Sequence, residues 1–205
     1  MQHFIDNAIE YINEHLGEGV FAIYLKGSYL MKEMLPKSDI DLVVIFKESL
    51  RPTFNKIKGH EVLGPVSISG YSLDELKSGK KIGDSQSPKT FMNLVKHYKL
   101  LQGTSVLHKN FPSKSFEDTY KDHKKFLKEV FLPAFIEGKH SKQELYKQVL
   151  WLSYNELVVD HKNPPYSYKE INDLLPEGHI GKRAYNLRFL DDDKDFLDDL
   201  ISYLS

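Results

Sequence analysis

Two aspartates one residue apart, Asp39 and Asp41, open a run otherwise built for burial, "IDLVVIF" at 40–46. Upstream, Gly27-Ser28 follows another apolar run, "VFAIYL" at 20–25. If both runs are strands, Asp39 and Asp41 point to the same face, roughly 7 Å apart along the strand. Like charges held side by side on an apolar strand cost free energy. A divalent cation removes that cost, and hard carboxylate oxygens suit Mg²⁺, which usually completes its shell with waters and substrate phosphates. Gly27 permits close backbone approach. The N–H groups of a helix start, with the Ser28 hydroxyl, can hold phosphate oxygens. A phosphate clamp leading into a metal-binding carboxylate pair is the minimal apparatus for attack on a nucleotide α-phosphate.

The elements that must position these residues follow from the periodicity. Phe4, Ile5, Ala8, Ile9, Ile12 and Leu16 recur at helical spacing until Gly17 and Gly19 stop them. Strands are predicted over 20–25 and 40–46, with a short helix "YLMKEML" after Gly27-Ser28. A further short helix falls in "SLRPTFNKIKG", and Gly64-Pro65 turns the chain into a third strand, "PVSISGYS". Ser87-Pro88 starts a helix, "KTFMNLVKHYKLLQG", with Gly103 as its C-cap. Beyond it the pattern is helical. Ser115–Asp118, Ser141–Glu144 and Ser167–Glu170 mark helix starts, the last two as capping boxes and the first as a weaker version. Pro133 should kink or end the helix from Phe116, and "NPPYS" breaks the chain before Ser167.

These elements predict an α/β domain over 1–105 and an all-helical C-terminal domain over 106–205. The chain has 205 residues, a formal net charge of −1 and no cysteine. A disulfide framework and thiolate metal sites are therefore excluded, and nothing in the bulk charge draws the chain to nucleic acid or an acidic membrane. No stretch approaches the roughly 20 apolar residues that cross a bilayer, and the first residues lack the pattern of a signal peptide. The expectation is a soluble, cytoplasmic protein. Its nine histidines show no HExxH or other ligand spacing, so zinc is not expected.

Gly27-Ser28, the spacer, Ser38 and Asp39-Ile40-Asp41, with apolar strands on both sides, together resemble the signature of the nucleotidyltransferase superfamily. Its members share the DNA polymerase β-like core. The aminoglycoside nucleotidyltransferases and the minimal nucleotidyltransferases of toxin–antitoxin pairs look most similar. The match is best over residues 20–46; "HYKLLQGTSVL" at 97–107 is similar to the helix and turn after the core in the aminoglycoside branch. The resemblance implies an α/β (α+β) core with a mixed sheet followed by helices. It implies that Gly27, Ser28 and Ser38 contact the triphosphate and that Asp39 and Asp41 hold one or two Mg²⁺ ions as the catalytic carboxylates. The implied activity is Mg²⁺-dependent transfer of a nucleoside monophosphate, AMP from ATP by default, to a hydroxyl of a small molecule or protein.

The family usually adds a third carboxylate from a later strand. Here that strand is "PVSISGYS", which holds no acid; Ser67 or Pro65 takes the position, depending on register. Glu61 lies before it, Asp74 and Glu75 after it. Glu61 reaches the site from a neighbouring strand, or the strand's base is missing because the acceptor needs little help or because the helical domain supplies it, or the chain is a catalytically depleted binding module of regulatory or antitoxin-like type. A general base contributes typically about 10² to 10⁴ in rate, so the choice matters. Lys37 stands beside Ser38 as a triphosphate contact or a solvated loop lysine. Lys121, Lys124, Lys125 and Lys128 form a solvated helix face or a contact to the nucleotide or a polyanionic acceptor. Tyr166 and Tyr168 are turn residues or stacking platforms, and "DDDKDFLDD" is an acidic helix start or a surface for a cationic acceptor.

Overall fold

The computed structural model describes residues 1–36, 38–83, 86–160, 164, 166–190 and 195–205. Lys37, Asn163 and Pro165 of "NPPYS", and 191–194 of the acidic run lie outside the described residues. The chain divides into two compact units, Met1–Lys114 and Ser115–Ser205.

The first unit is a mixed four-stranded sheet with helices. Helix α1 (Gln2–Leu16) carries Ile5, Ala8, Ile12 and Leu16 on its buried stripe. It is followed by β1 (Val20–Lys26), a single-turn α2 (Gly27–Leu30), β2 (Ile40–Phe46) and α3 (Arg51–Ile57). Then come β3 (Val66–Ser72), α4 (Leu73–Ser78), α5 (Pro88–Leu94) and β4 (Lys99–Gly103). The strand order is β3-β2-β1-β4, with β1 antiparallel to both neighbours and β2 parallel to β3. The parallel pair is possible because α3 carries the chain back across the sheet between them.

Period-two alternation separates the two faces of the sheet. Ile23, Leu25, Ile40, Leu42, Val44, Phe46, Val66 and Ile68 form one buried cluster with α1, Phe54, Ile57 and Leu63. On the opposite face Tyr24, Tyr71 and Tyr98 gather around Phe91 of α5, with ring centroids 4.7–6.4 Å apart. Asp41 has the odd-numbered parity of Val43 and Ile45, so it belongs to this second face.

Two predicted helices are shorter than expected. The helix after Gly27 ends at Leu30, and Lys32 takes a left-handed φ of 59° that stops it. The helix from Pro88 ends at Leu94, and after a 3-10 turn the residues Lys99–Gly103 form strand β4 instead of a last helical turn. The open edge of β1 decides this. β4 pairs along it from Ala22 to Leu25, and Gly103 lies so close that a Cβ there would stand 2.1 Å from the Phe21 carbonyl oxygen.

The second unit is all helical: α6 (Phe116–Phe126), a π turn (Leu127–Phe131), α7 (Leu132–Ile136), α8 (Lys142–Val159), α9 (Tyr168–Leu174), α10 (Ile180–Leu187) and α11 (Phe196–Leu204). Pro133 does not end the first helix outright. It sits in the first turn of α7, and the π turn before it absorbs the register change that its missing N–H imposes. Helix α8 is buried around most of its circumference, through Leu145, Val149, Leu150, Leu152 and Leu157, as befits the centre of a helical unit. Ser115 caps α6, and Ser141–Glu144 closes a full capping box on α8. At Ser167 only half of the box forms: its hydroxyl accepts the Glu170 N–H at 3.2 Å and donates to the Glu170 carboxylate at 2.5 Å.

Candidate active site

β1 and β2 make an antiparallel pair; their connection carries Gly27, Ser28, Ser38 and Asp39, and β2 carries Asp41. Lys26 stands opposite Asp41 in the ladder. The chain then turns at Gly27, whose φ of +76° is one that L side chains rarely adopt. A Cβ at Gly27 would lie 2.4 Å from Asp41 Oδ2, so the half-buried carboxylate rests directly against the glycine backbone. Ser28 follows, only 7 % exposed. The short helix is closed by Met31 N–H donating to the Gly27 carbonyl at 3.2 Å and Glu33 N–H to the Ser28 carbonyl at 2.9 Å. The N–H groups at its opening have no partner within the helix.

Ser38 closes a turn with Leu35. Its N–H donates to the Leu35 carbonyl, and its Oγ accepts the Leu35 N–H, both at 3.0 Å. That leaves the hydroxyl proton as a donor. Asp39 is exposed and precedes the first strand residue; Asp41, one strand residue later, shares its parity. An exposed carboxylate and a half-buried one at the mouth of one strand form a hard oxygen pair that suits Mg²⁺, with waters and phosphate oxygens filling the remaining positions. Among the described residues no group of three or more His, Asp or Glu is gathered as a metal site.

The register accounts for that number. Asp41 is paired with Ser67 of β3, and Ile40 donates to the Pro65 carbonyl at 2.9 Å, so Ser67 occupies the position next to Asp41 on the same face. Glu61 is exposed in a 3-10 turn whose Leu63 belongs to the α1 side of the sheet, where His60 meets Tyr11 at 5.6 Å. Asp74 and Glu75 follow the far end of β3, about 20 Å from Asp41 at the strand rise per residue. Asp74 is exposed beside Lys77.

Glu75 holds the fold together instead. It is 1 % exposed and completes a capping box with Ser72 that the sequence reading passed over. Its carboxylate accepts N–H groups from Ile82 at 2.7 Å and from Ser72 and Gly83 at 2.9 Å, and it pairs with Arg51. Arg51 also grips Glu48 with two hydrogen bonds of 2.7 and 2.9 Å. Burial alone would push the Glu75 carboxyl up; the three backbone donors and Arg51 outweigh it and hold the group below its ordinary value.

In the second unit the tyrosines after the proline break are used for packing. Tyr166 stacks on Trp151 at 4.5 Å and Tyr168 is buried against the same ring at 4.9 Å, with the Arg188 guanidinium 4.3 Å over its face. Of the lysines of α6, Lys121 and Lys125 are exposed, Lys125 pairing with Glu129 at 3.8 Å, whereas the half-buried Lys124 stands 5.7 Å over the Tyr203 ring. Lys26 is the residue that the sequence reading missed. Its signal is its place immediately before Gly27, which the antiparallel turn brings opposite Asp41.

Three comparisons with known proteins bear on this geometry. A family model described as a nucleotidyltransferase domain matches residues 5–134. The bifunctional uridylyltransferase/uridylyl-removing enzyme of Acinetobacter baylyi is 23 % identical over 194 residues, covering 90 % of this chain. The chain spans only a fifth of that relative's length. A crystal structure of the spectinomycin adenyltransferase AAD(9) from Enterococcus faecialis, with ATP and spectinomycin, superposes with a TM-score of 0.59 at 16 % identity, covering 100 % of this chain and 97 % of the other. Among the described residues no helix is long and apolar enough to cross a membrane.

Proposed function

The chain belongs to the nucleotidyltransferase family, and from that premise we propose that it transfers AMP from ATP to a hydroxyl group of a small molecule or protein, with Mg²⁺ as cofactor. The observation that carries the reading is the contact between Gly27 and the Asp41 carboxylate, which brings a helix opening suited to phosphate and a metal-binding oxygen into one turn. The adenyltransferase with ATP and spectinomycin supports a nucleotide donor and a hydroxylated acceptor for this fold.

In this mechanism the backbone at Gly27 and Ser28 and the hydroxyls of Ser28 and Ser38 bind and orient the triphosphate. Asp39 and Asp41 would hold the cation, which would supply positive charge against that building on the α-phosphate and the departing pyrophosphate. The acceptor oxygen forms a bond to the α-phosphorus as the bond to the pyrophosphate oxygen breaks, and the hydroxyl proton is lost to solvent. No side chain of β3 takes that proton, because Ser67 stands beside Asp41.

The test is release of pyrophosphate from ATP or UTP in the presence of Mg²⁺ and candidate acceptors, with label from the α-phosphate followed into small molecules and protein. Acceptor-dependent release that Asp41→Asn abolishes supports the reading. Use of UTP alone would overturn the choice of donor and keep the transfer. Absence of nucleotide binding, unchanged by Asp39→Ala with Asp41→Ala, would overturn the reading itself.

A further inference from the structure

Ser67 is the ladder partner of Asp41 on the adjacent strand of the parallel β2–β3 pair. We propose that this site contains an acceptor of its own: with no outside acceptor present, the chain transfers AMP to the Ser67 hydroxyl. The inference rests on the transfer reading above and names one protein hydroxyl within its reach.

Position selects Ser67. Tyr71, on the same strand and of the same parity, packs on Phe91, whereas Val66 and Ile68 belong to the buried cluster on the α1 side. Ser67 therefore faces the same way as Asp41. It stands one strand spacing, about 4.8 Å, from that residue, and it is exposed. The other hydroxyls nearby are less available. Ser28 is 7 % exposed, the Ser38 Oγ accepts the Leu35 N–H at 3.0 Å, and the Ser69 Oγ donates to the Leu42 carbonyl at 3.4 Å.

The hydroxyl is also held in place. β3 pairs with β2 from Val66 to Ser72, and the Ile40 N–H donates to the Pro65 carbonyl at 2.9 Å, two residues before Ser67. A well-oriented group on the same scaffold acts at an effective concentration of about 10⁵ M or more, far above that of any dissolved acceptor. A plain alcohol thus competes here. The Ser67 oxygen forms a bond to the α-phosphorus as the bond from that phosphorus to the pyrophosphate oxygen breaks, and the hydroxyl proton is lost to solvent. The products are pyrophosphate and a phosphodiester joining Ser67 to adenosine. One hydroxyl takes one adenylate, so each chain is modified once.

The experiment incubates the purified chain with ATP and Mg²⁺ and no added acceptor. Intact-mass measurement follows the gain of adenylate, and peptide mapping by mass spectrometry locates it. The wild type is expected to gain one adenylate per chain, on the peptide holding Ser67, and Ser67→Ala and Asp41→Asn none. Adenylate on another residue, or on Ser67→Ala, overturns the inference. An unmodified wild type overturns it too: if that protein passes AMP to an added acceptor the transfer reading stands, and if it binds no ATP the transfer reading falls as well. Should the variants not fold, mapping of the wild type decides alone.

Discussion

Asp41 Oδ2 lies 2.4 Å from the point where a Cβ on Gly27 would be, so the catalytic candidate and the turn glycine exclude any side chain between them. The relationship is set by the antiparallel register, which pairs Asp41 with Lys26, the residue before the glycine. Gly27→Ala must therefore displace the carboxylate as well as strain the backbone, whose left-handed φ alone costs about 1–2 kcal/mol with a Cβ present. Titration calorimetry with ATP and Mg²⁺ is expected to show binding lost, while the melting temperature falls by only a few degrees. Unchanged binding would separate the turn from the site.

Asp41→Asn keeps the shape of the side chain and removes its charge. Turnover is expected to fall by about 10²–10³, the usual loss when one electrostatic stabiliser is removed. Circular dichroism should be unaltered. Asp39→Asn, at an exposed position, is expected to lower turnover with no measurable change in stability.

Glu75→Gln breaks an ion pair with a half-buried arginine and weakens three backbone contacts. Leaving Arg51 with less than its full complement is expected to cost about 3 kcal/mol. Because the native carboxyl titrates below its ordinary value of 4.5, its contribution is complete above that pH and is lost as pH falls through the lower native value. Urea midpoints of wild type and variant, compared between neutral pH and acid, should converge as pH drops. A gap that stays constant would place the effect outside the ionisation.

Gly103→Ala puts a methyl group into the Phe21 carbonyl at the β1–β4 pairing, on a residue with φ +84°. The expected cost is about 2–4 kcal/mol from overpacking and backbone strain together. Hydrogen exchange should rise along Lys99–Gly103 before it rises in β2. Equal exchange across the whole sheet would show that β4 unfolds only with the rest.

The candidate site could be read from the sequence because its parts are local. Gly27, Ser28, Ser38, Asp39 and Asp41 lie in one strand–turn–strand segment, and their types carry their own geometry. What the sequence could not announce was decided by distant chain. "KLLQG" fits the end of a helix or an edge strand equally, and only the vacant side of β1 selects the strand. Whether Ser67 or Pro65 would face Asp41 depended on a parallel register that no local pattern sets. Glu75 read as a spare acid because its partners, Arg51, Ile82 and Gly83, come from a helix start and from a loop further along the chain.

The β1–β2 pairing has a consequence for the order in which the chain folds. It is the shortest loop closure in the sheet, spanning only 27–39, whereas β3 must wait for its crossover and β4 arrives from much further along. Short closures pay the least entropy and form soonest. The Gly27 turn and the two aspartates therefore belong to the earliest hairpin, and substitutions there should slow refolding, whereas those in β4 should chiefly hasten unfolding.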